Sequence, residues 1–118
     1  MTRRPTLQLR IKLDPDTLLG PGKAELLQAI QETGSIAAAG RRMGMSYKRA
    51  WYLIDTMNDY FREPVVISTK GGHARGGAHL TDTGRAVLEG YRRIENKAQR
   101  ATVRELAALA ALAGRKPG

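Results

Sequence analysis

Residues 34–51 read GSIAAAGRRMGMSYKRAW, and this stretch decides the fold. Ser35 and Ser46 are typical N-cap residues, and each precedes a segment whose pattern predicts a helix. Gly44 lies between the two segments, where a tight turn requires the positive φ that glycine adopts without steric cost. The small residues at 38–40 allow the two helices to pack closely. The stretch therefore predicts a helix-turn-helix.

The second helix of the pair is predicted to run to about Phe61, and its first turn carries Tyr47, Lys48 and Arg49. In a helix-turn-helix, this turn presents side chains to base edges in the major groove. Arg and Lys can bond guanine, while Tyr and Ser hydroxyls suit phosphate or base contacts. The predicted DNA-binding residues of the helix pair are Ser35, Ser46, Tyr47, Lys48 and Arg49. The alternative is a plain antiparallel helix pair whose polar face happens to be basic.

The same helix has an inner apolar face. Ala50, Leu53, Ile54 and Met57 recur at helical spacing and predict packing against the rest of the domain. Trp51 is the only tryptophan of the chain. We interpret it as a core anchor beneath the helix, and base stacking is the alternative.

The elements before the helix pair are a strand and a helix. Residues 7–13 alternate strictly between apolar and polar side chains, which predicts a half-buried β-strand. Residues 23–33 place Leu26, Leu27 and Ile30 on one helical face, and Gly34 ends this predicted helix.

A glycine-rich loop between two short strands follows the helix pair. Residues 65–69 are mostly β-branched, residues 71–77 contain four glycines, and residues 78–80 form a predicted return strand. This arrangement is typical of a wing, a hairpin whose tip reaches along the DNA. The residues of the wing that we predict to contact DNA are Lys70, Gly72, His73 and Arg75. The alternative is a flexible hairpin connection without a DNA contact.

The C-terminal third predicts one long helix, capped by Thr81 and reaching Leu112, with only mild interruptions at Gly84 and Gly90. Apolar residues recur along it at mainly helical intervals. A helix this long overhangs a small domain, so we predict that part of the stripe is buried against a second copy of the chain. The predicted dimerisation residues are Leu88, Tyr91, Ile94, Ala98, Leu106 and Leu109. Packing within one chain is the alternative.

Composition narrows the class of protein. A length of 118 residues suits a single domain, residues 1–118, with a DNA-binding core at about 7–80 and the long helix at 81–112. The net charge of +9 favours a polyanionic partner. The chain has no cysteine, which excludes disulfides, zinc fingers and cysteine nucleophiles. No catalytic set, metal site, bound cofactor, membrane span or signal peptide is predicted, so the expected location is the cytoplasm.

Several of these residues resemble a known family. The string SYKRAW at 46–51, the pair Met57–Asn58 and the glycine-rich wing before Leu80 are similar to the N-terminal domain of the molybdate-responsive repressors, the ModE family. This resemblance covers roughly residues 20–95, and a looser likeness to LysR-type helix-turn-helix domains covers residues 35–55. The ModE resemblance implies a winged-helix, homodimeric transcription regulator with Tyr47, Lys48, Arg49 and the wing at the DNA.

Members of the ModE family usually add C-terminal oxyanion-binding domains that sense molybdate. The sequence ends before such a domain, so we expect this chain to bind no small-molecule effector.

The sequence therefore predicts a mainly α fold with a small β-hairpin wing, a winged helix-turn-helix with a long C-terminal dimerisation helix. The predicted function is sequence-specific binding of double-stranded DNA by a homodimeric transcription regulator. A sequence-nonspecific architectural DNA-binding protein would have the same charge and fold and is the alternative. A protein-interaction module that uses the long helix as its main surface is a further possibility.

Overall fold

The computed structural model describes residues 5–69 and 77–114, and its elements follow the order of a winged helix. The elements are β1 (Ile11–Asp14), β2 (Thr17–Leu19), α1 (Pro21–Thr33), α2 (Ile36–Arg42), α3 (Tyr47–Tyr60), β3 (Val66–Ser68), β4 (Ala78–Leu80), α4 (Asp82–Ala101) and α5 (Val103–Leu112). Three helices followed by an antiparallel hairpin confirm the predicted winged helix-turn-helix.

The N-terminal strand differs from the prediction. The strand predicted at residues 7–13 is β1, which begins only at Ile11 and pairs antiparallel with β2, an element that the sequence did not predict. The two strands are joined at a turn in which the amide of Asp16 donates to Oδ1 of Asp14 at 2.9 Å. Aspartate favours this type of turn because its carboxylate accepts from the backbone two residues on.

Helix α1 supplies much of the core. It begins at Pro21, whose fixed φ suits the first helical position, and it ends at Gly34, which has a φ of +70°. The buried residues of this helix are Ala24, Leu26, Leu27, Ala29 and Ile30. Ile54 and Met57 of α3 join them in the same cluster. The predicted inner faces of both helices are therefore confirmed, with Leu53 only partly buried.

The base of the wing is an antiparallel hairpin that is hydrogen-bonded to the helical part of the domain. Strands β3 and β4 pair antiparallel, with Val66 opposite Leu80. The amide of Ala78 donates to the carbonyl oxygen of Gly34 at 2.9 Å, which ties the hairpin to the turn between α1 and α2. The amide of Thr69 donates to the carbonyl oxygen of Gly77 at 2.8 Å and closes the last described rung. The predicted wing strands are therefore confirmed, the first as Val66–Ser68 within residues 65–69 and the return strand as Ala78–Leu80.

Helix α4 is anchored to the core by Leu88 and Tyr91, which are 6% and 1% exposed. The Tyr91 hydroxyl donates to the carbonyl oxygen of Leu9 at 2.7 Å, so it holds the N-terminal segment against the helix. Burial raises the pKa of the Tyr91 phenol, which favours the protonated form that donates this bond.

Replacing Tyr91 by phenylalanine should lower the free energy of unfolding by about 1 kcal/mol, because it removes one part-buried hydrogen bond and leaves the carbonyl oxygen of Leu9 without this donor. Thermal unfolding followed by circular dichroism measures this change. Tyr60→Phe is the matched control, because the Tyr60 hydroxyl reaches the carbonyl oxygen of Leu13 at 3.3 Å in an exposed position. Equal effects of the two substitutions would contradict the role given to Tyr91.

The helical segment predicted to Leu112 does reach that residue, but it is not one continuous helix, because Thr102 divides it into α4 and α5. Thr102 leaves the helical region, with φ −113° and ψ 15°. Its hydroxyl donates back to the carbonyl oxygen of Ala98 at 2.7 Å, a bond that competes with regular helix geometry. Gly84 and Gly90, the interruptions predicted from the sequence, both lie inside α4.

Candidate nucleic-acid interface

The helix pair α2 and α3 is held together by a close backbone approach. Gly40 is buried, and a Cβ added there would lie 3.3 Å from the carbonyl oxygen of Met45 and 3.6 Å from Cβ of Ala50. Gly44 has a φ of +68°, as the sequence predicted for the turn. Met43 and Met45 are partly buried beside it and pack against the core. The turn thus fixes the angle at which α3 leaves the domain.

The two serines predicted to contact DNA are the N-caps of the pair. Oγ of Ser35 accepts from the amide of Ala38 at 3.0 Å, and Oγ of Ser46 accepts from the amide of Arg49 at 3.0 Å. Each hydroxyl keeps its own hydrogen, which can be donated to a phosphate oxygen. The caps are confirmed, and the DNA contacts of both serines stay predictions.

The first turn of α3 presents Tyr47, Lys48 and Arg49, all of which are exposed. The Arg49 guanidinium lies 5.3 Å from the centre of the Tyr52 ring, a cation–π distance that orients it along the outer face of α3. Tyr52 is 57% exposed and was missed by the sequence analysis, although it lies one turn beyond Lys48 and Arg49 on α3.

Trp51 behaves as the predicted anchor. It is partly buried, packs against the core, and meets the Tyr47 ring edge to face at 6.4 Å between centroids. The interpretation as a core anchor is therefore favoured over base stacking. Its contact positions Tyr47 at the start of the exposed face.

The tip of the wing lies outside the described residues. Lys70, Gly72, His73 and Arg75, which we predicted to contact DNA, all fall in this segment. Their role stays a prediction.

The predicted dimerisation residues fall into two groups. Leu88 and Tyr91 are buried in the core of one chain, so their assignment to a contact with a second copy is corrected. Ile94 is 46% exposed and Leu109 is 58% exposed, while Ala98 and Leu106 are partly buried. These last four residues remain available to a second chain.

Other kinds of site find no support in the described residues. Within residues 5–69 and 77–114, no three histidine or acidic side chains come together as metal ligands. None of the helices in this part of the chain is long and apolar enough to span a membrane.

The sequence profile described as "Bacterial regulatory helix-turn-helix protein, lysR family" matches residues 22–85, which is more than half of the chain. The chain belongs to this LysR-type family. The match contains α1, the helix pair, the wing strands and the start of α4. It is wider than residues 35–55, the extent of the LysR-type likeness seen in the sequence.

The relatives of this chain include ModE proteins, which confirms the resemblance drawn from residues 46–51, from Met57–Asn58 and from the segment before Leu80. The molybdenum transport protein ModE of Azotobacter vinelandii is 44% identical over 94 residues, covering 78% of this chain and 35% of that protein. The transcriptional regulator ModE of Yersinia pestis is 40% identical over 83 residues, covering 70% of this chain and 32% of that protein. The chain spans about a third of the length of these relatives.

Solved structures of DNA-bound proteins share the fold. The chain is similar to the CbnR_DBD–DNA complex with a TM-score of 0.58 and 26% identity, covering 75% of this chain and 95% of the other. Full-length CbnR complexed with its target DNA gives a TM-score of 0.56 and 28% identity, covering 74% of this chain and 28% of the other. Both of these neighbours were solved with DNA bound.

Proposed function

We propose that this chain binds double-stranded DNA sequence-specifically as a homodimer and regulates transcription. The observation that carries the proposal is the first turn of α3, where three side chains with hydrogen-bonding groups are exposed on a helix with a fixed start. The Ser46 cap and the close approach of Gly40 to the backbone of Met45 hold that start in place. The DNA-bound neighbours and the ModE relatives support the same function.

In this proposal α3 enters the major groove. Lys48 and Arg49 donate to base edges, where guanine O6 and N7 are the preferred acceptors of both side chains. Tyr47, Ser35 and Ser46 contact phosphates or bases, and the wing contacts the DNA backbone. The DNA partner implies a cytoplasmic location, and the role is that of a regulator and not of an enzyme. That the chain binds no cofactor and no small-molecule effector stays a prediction.

The exposed apolar face of α4 and α5 supports the homodimer. None of the residues of α5, all of which the structure describes, is buried. An isolated helix of ten residues is marginal in water, so α5 needs a partner to cover its leucines. A second copy meets this need and also places two recognition helices for half-sites about one turn of DNA apart.

We expect light scattering to give twice the chain mass of 12.9 kDa without DNA. The double substitution Leu106→Glu and Leu109→Glu should return the mass to that of one chain, because each buried leucine contributes about 1.5–3 kcal/mol. Its affinity for an operator with two half-sites should fall at least about tenfold, while its affinity for one half-site changes little.

Ala107→Glu with Ala111→Glu is the matched control for the dimer. Both alanines are exposed, and at 100° per residue they lie on the side of α5 opposite Leu106 and Leu109. The control adds the same charge and should leave the dimer intact. A wild-type mass of one chain at micromolar concentration, or equal dissociation by both double variants, would overturn the proposed interface.

Selection of binding sites from randomised DNA tests the function itself. We expect one enriched sequence with two related half-sites, bound at least about 10³-fold more tightly than competitor DNA at fixed salt. A ratio near one would favour the sequence-nonspecific architectural protein instead.

A further inference from the structure

A basic cleft lies beside the recognition helix. It has a volume of about 420 Å³ and is bounded by the N-terminal hairpin, the first turn of α1 and the outer face of α3. Its charged residues are Arg10, Lys23 and Arg49, with Asp16 as the single acidic residue of its lining. The three cations come from three separate segments, with Arg10 just before β1, Lys23 in α1 and Arg49 in α3, and the fold alone brings them together.

The positive charges of this cleft are left largely uncompensated by the described residues. In the part of the chain that the structure describes, no ion pair involves Arg10, Lys23 or Arg49. Nζ of Lys23 donates to the carbonyl oxygen of Leu18 at 2.8 Å, which holds the ammonium group at the cleft.

The surroundings of Lys23 favour an anionic ligand. Partial burial and the nearby Arg49 guanidinium lower the pKa of Lys23, and the Asp14 carboxylate offsets this only in part. Two cations that repel each other are stabilised by an anion placed between them. Asp16, the one acidic residue of the lining, is exposed, and its backbone amide donates to Oδ1 of Asp14.

The cleft is continuous with the surface that reads DNA in the proposed function. Arg49 belongs to both, since it lies in the first turn of α3 and lines the cleft together with Tyr52. The Arg49 guanidinium lies 5.3 Å from the centre of the Tyr52 ring, and this contact holds Arg49 at the edge where the cleft meets the exposed face of α3. In the proposed function the major groove lies on α3, and the phosphate backbone beside it would pass this edge.

We propose that this cleft binds a backbone phosphate of the DNA beside the major groove that α3 occupies, with Lys23 and Arg10 as the donors. The inference rests on the proposed function and adds a phosphate contact outside the helix pair and the wing. Phosphate contacts of this kind position the protein on the duplex without reading its sequence. They also release condensed counterions, so they set the salt dependence of binding.

The test is operator binding by Lys23→Gln and Arg10→Gln across a range of salt concentrations. The two substitutions combined should lose about one unit from the slope of log K against log salt and about tenfold in affinity at 0.1 M salt, because together they remove the contact with one phosphate, and each single variant should lose part of this. The loss should be equal for operator and competitor DNA, so that the ratio of the two affinities is kept. Circular dichroism melting of each variant establishes that the domain is folded.

Two controls separate this contact from a general effect of charge. Lys23→Arg keeps the positive charge and should keep the slope. Arg93→Gln removes one charge from an exposed position on α4 and should leave the slope as in wild type. If Lys23→Gln and Arg10→Gln also leave the slope unchanged while wild type prefers its operator, the cleft is not a phosphate site and the proposed function stands. If wild type shows no preference for any sequence, it is the proposed function that fails.

Inorganic phosphate distinguishes the backbone from a free anion. We expect no saturable binding of phosphate below about 1 mM without DNA, because the cleft is open and water competes for its donors. A tighter phosphate site that Lys23→Gln abolishes would overturn the assignment to DNA and give the cleft to a free oxyanion.

Discussion

We expect Lys48→Ala combined with Arg49→Ala to abolish sequence-specific DNA binding while the domain stays folded. Both side chains are exposed in the first turn of α3, so their removal leaves the core untouched. Each good base contact contributes about 1–3 kcal/mol of discrimination, so the loss of two should lower the specificity ratio at least about thirtyfold. Footprinting on the selected operator, with competitor DNA present, measures this loss of specificity.

Lys97→Ala with Arg100→Ala is the matched control for the recognition helix. It removes the same charge from two exposed positions of α4 and should leave the footprint intact. An unchanged footprint for Lys48→Ala with Arg49→Ala would remove α3 from the interface. Substitutions in the basic cleft and in the first turn of α3 should have different effects. Lys23→Gln should change the salt dependence of DNA binding, whereas Lys48→Ala with Arg49→Ala should change the preference for operator over competitor DNA.

The elements that the sequence predicted well depend on neighbouring residues. Ser35, Ser46 and Thr81 were predicted as N-caps, and each accepts from the backbone amide three residues on. Gly34 and Gly44 were predicted at turns, and both have positive φ. Such features are readable because the cap and the turn are complete within a few residues.

The elements that were missed depend on distant residues or on very short segments. Strand β2 has three residues, too few for an alternation of side chains to be visible. The apolar stripe of α4 did not reveal that Leu88 and Tyr91 face the core of their own chain, since periodicity shows a face and not its partner. Tyr91 bonds to a carbonyl 82 residues away, at Leu9.

The candidate site also has one part that depends on neighbouring residues and one part that depends on distant residues. The recognition turn is one contiguous segment, so residue types and spacing were enough to predict it. The cleft joins residues 10, 23 and 49, whose approach is created only when the N-terminal hairpin packs beside α1 and α3. Thr102 did carry a local signal, because it opens a pair of β-branched residues in a segment otherwise rich in alanine.

The largest effect on stability should come from Gly84→Ala, at the start of α4. Gly84 is buried, and a Cβ there would lie 2.0 Å from the carbonyl oxygen of Val65 and 2.9 Å from its carbonyl carbon. Val65 cannot move aside cheaply, because its oxygen accepts from the amide of Thr81 at 3.0 Å and its amide donates to Oδ1 of Asn58 at 2.7 Å. Forcing a methyl group into this contact should cost about 3 kcal/mol or more.

Gly90→Ala separates this steric effect from the general effect of alanine in a helix. Gly90 lies in the same helix and has open space around its added Cβ, so the substitution should stabilise the domain by about 1 kcal/mol. Differential scanning calorimetry should therefore show Gly84→Ala lowering Tm by about 10 °C or more and Gly90→Ala raising it by a few degrees. Equal Tm values for the two variants would mean that α4 does not rest on Val65. The wing strand, which follows Val65 directly, would then lack the support that this contact gives it.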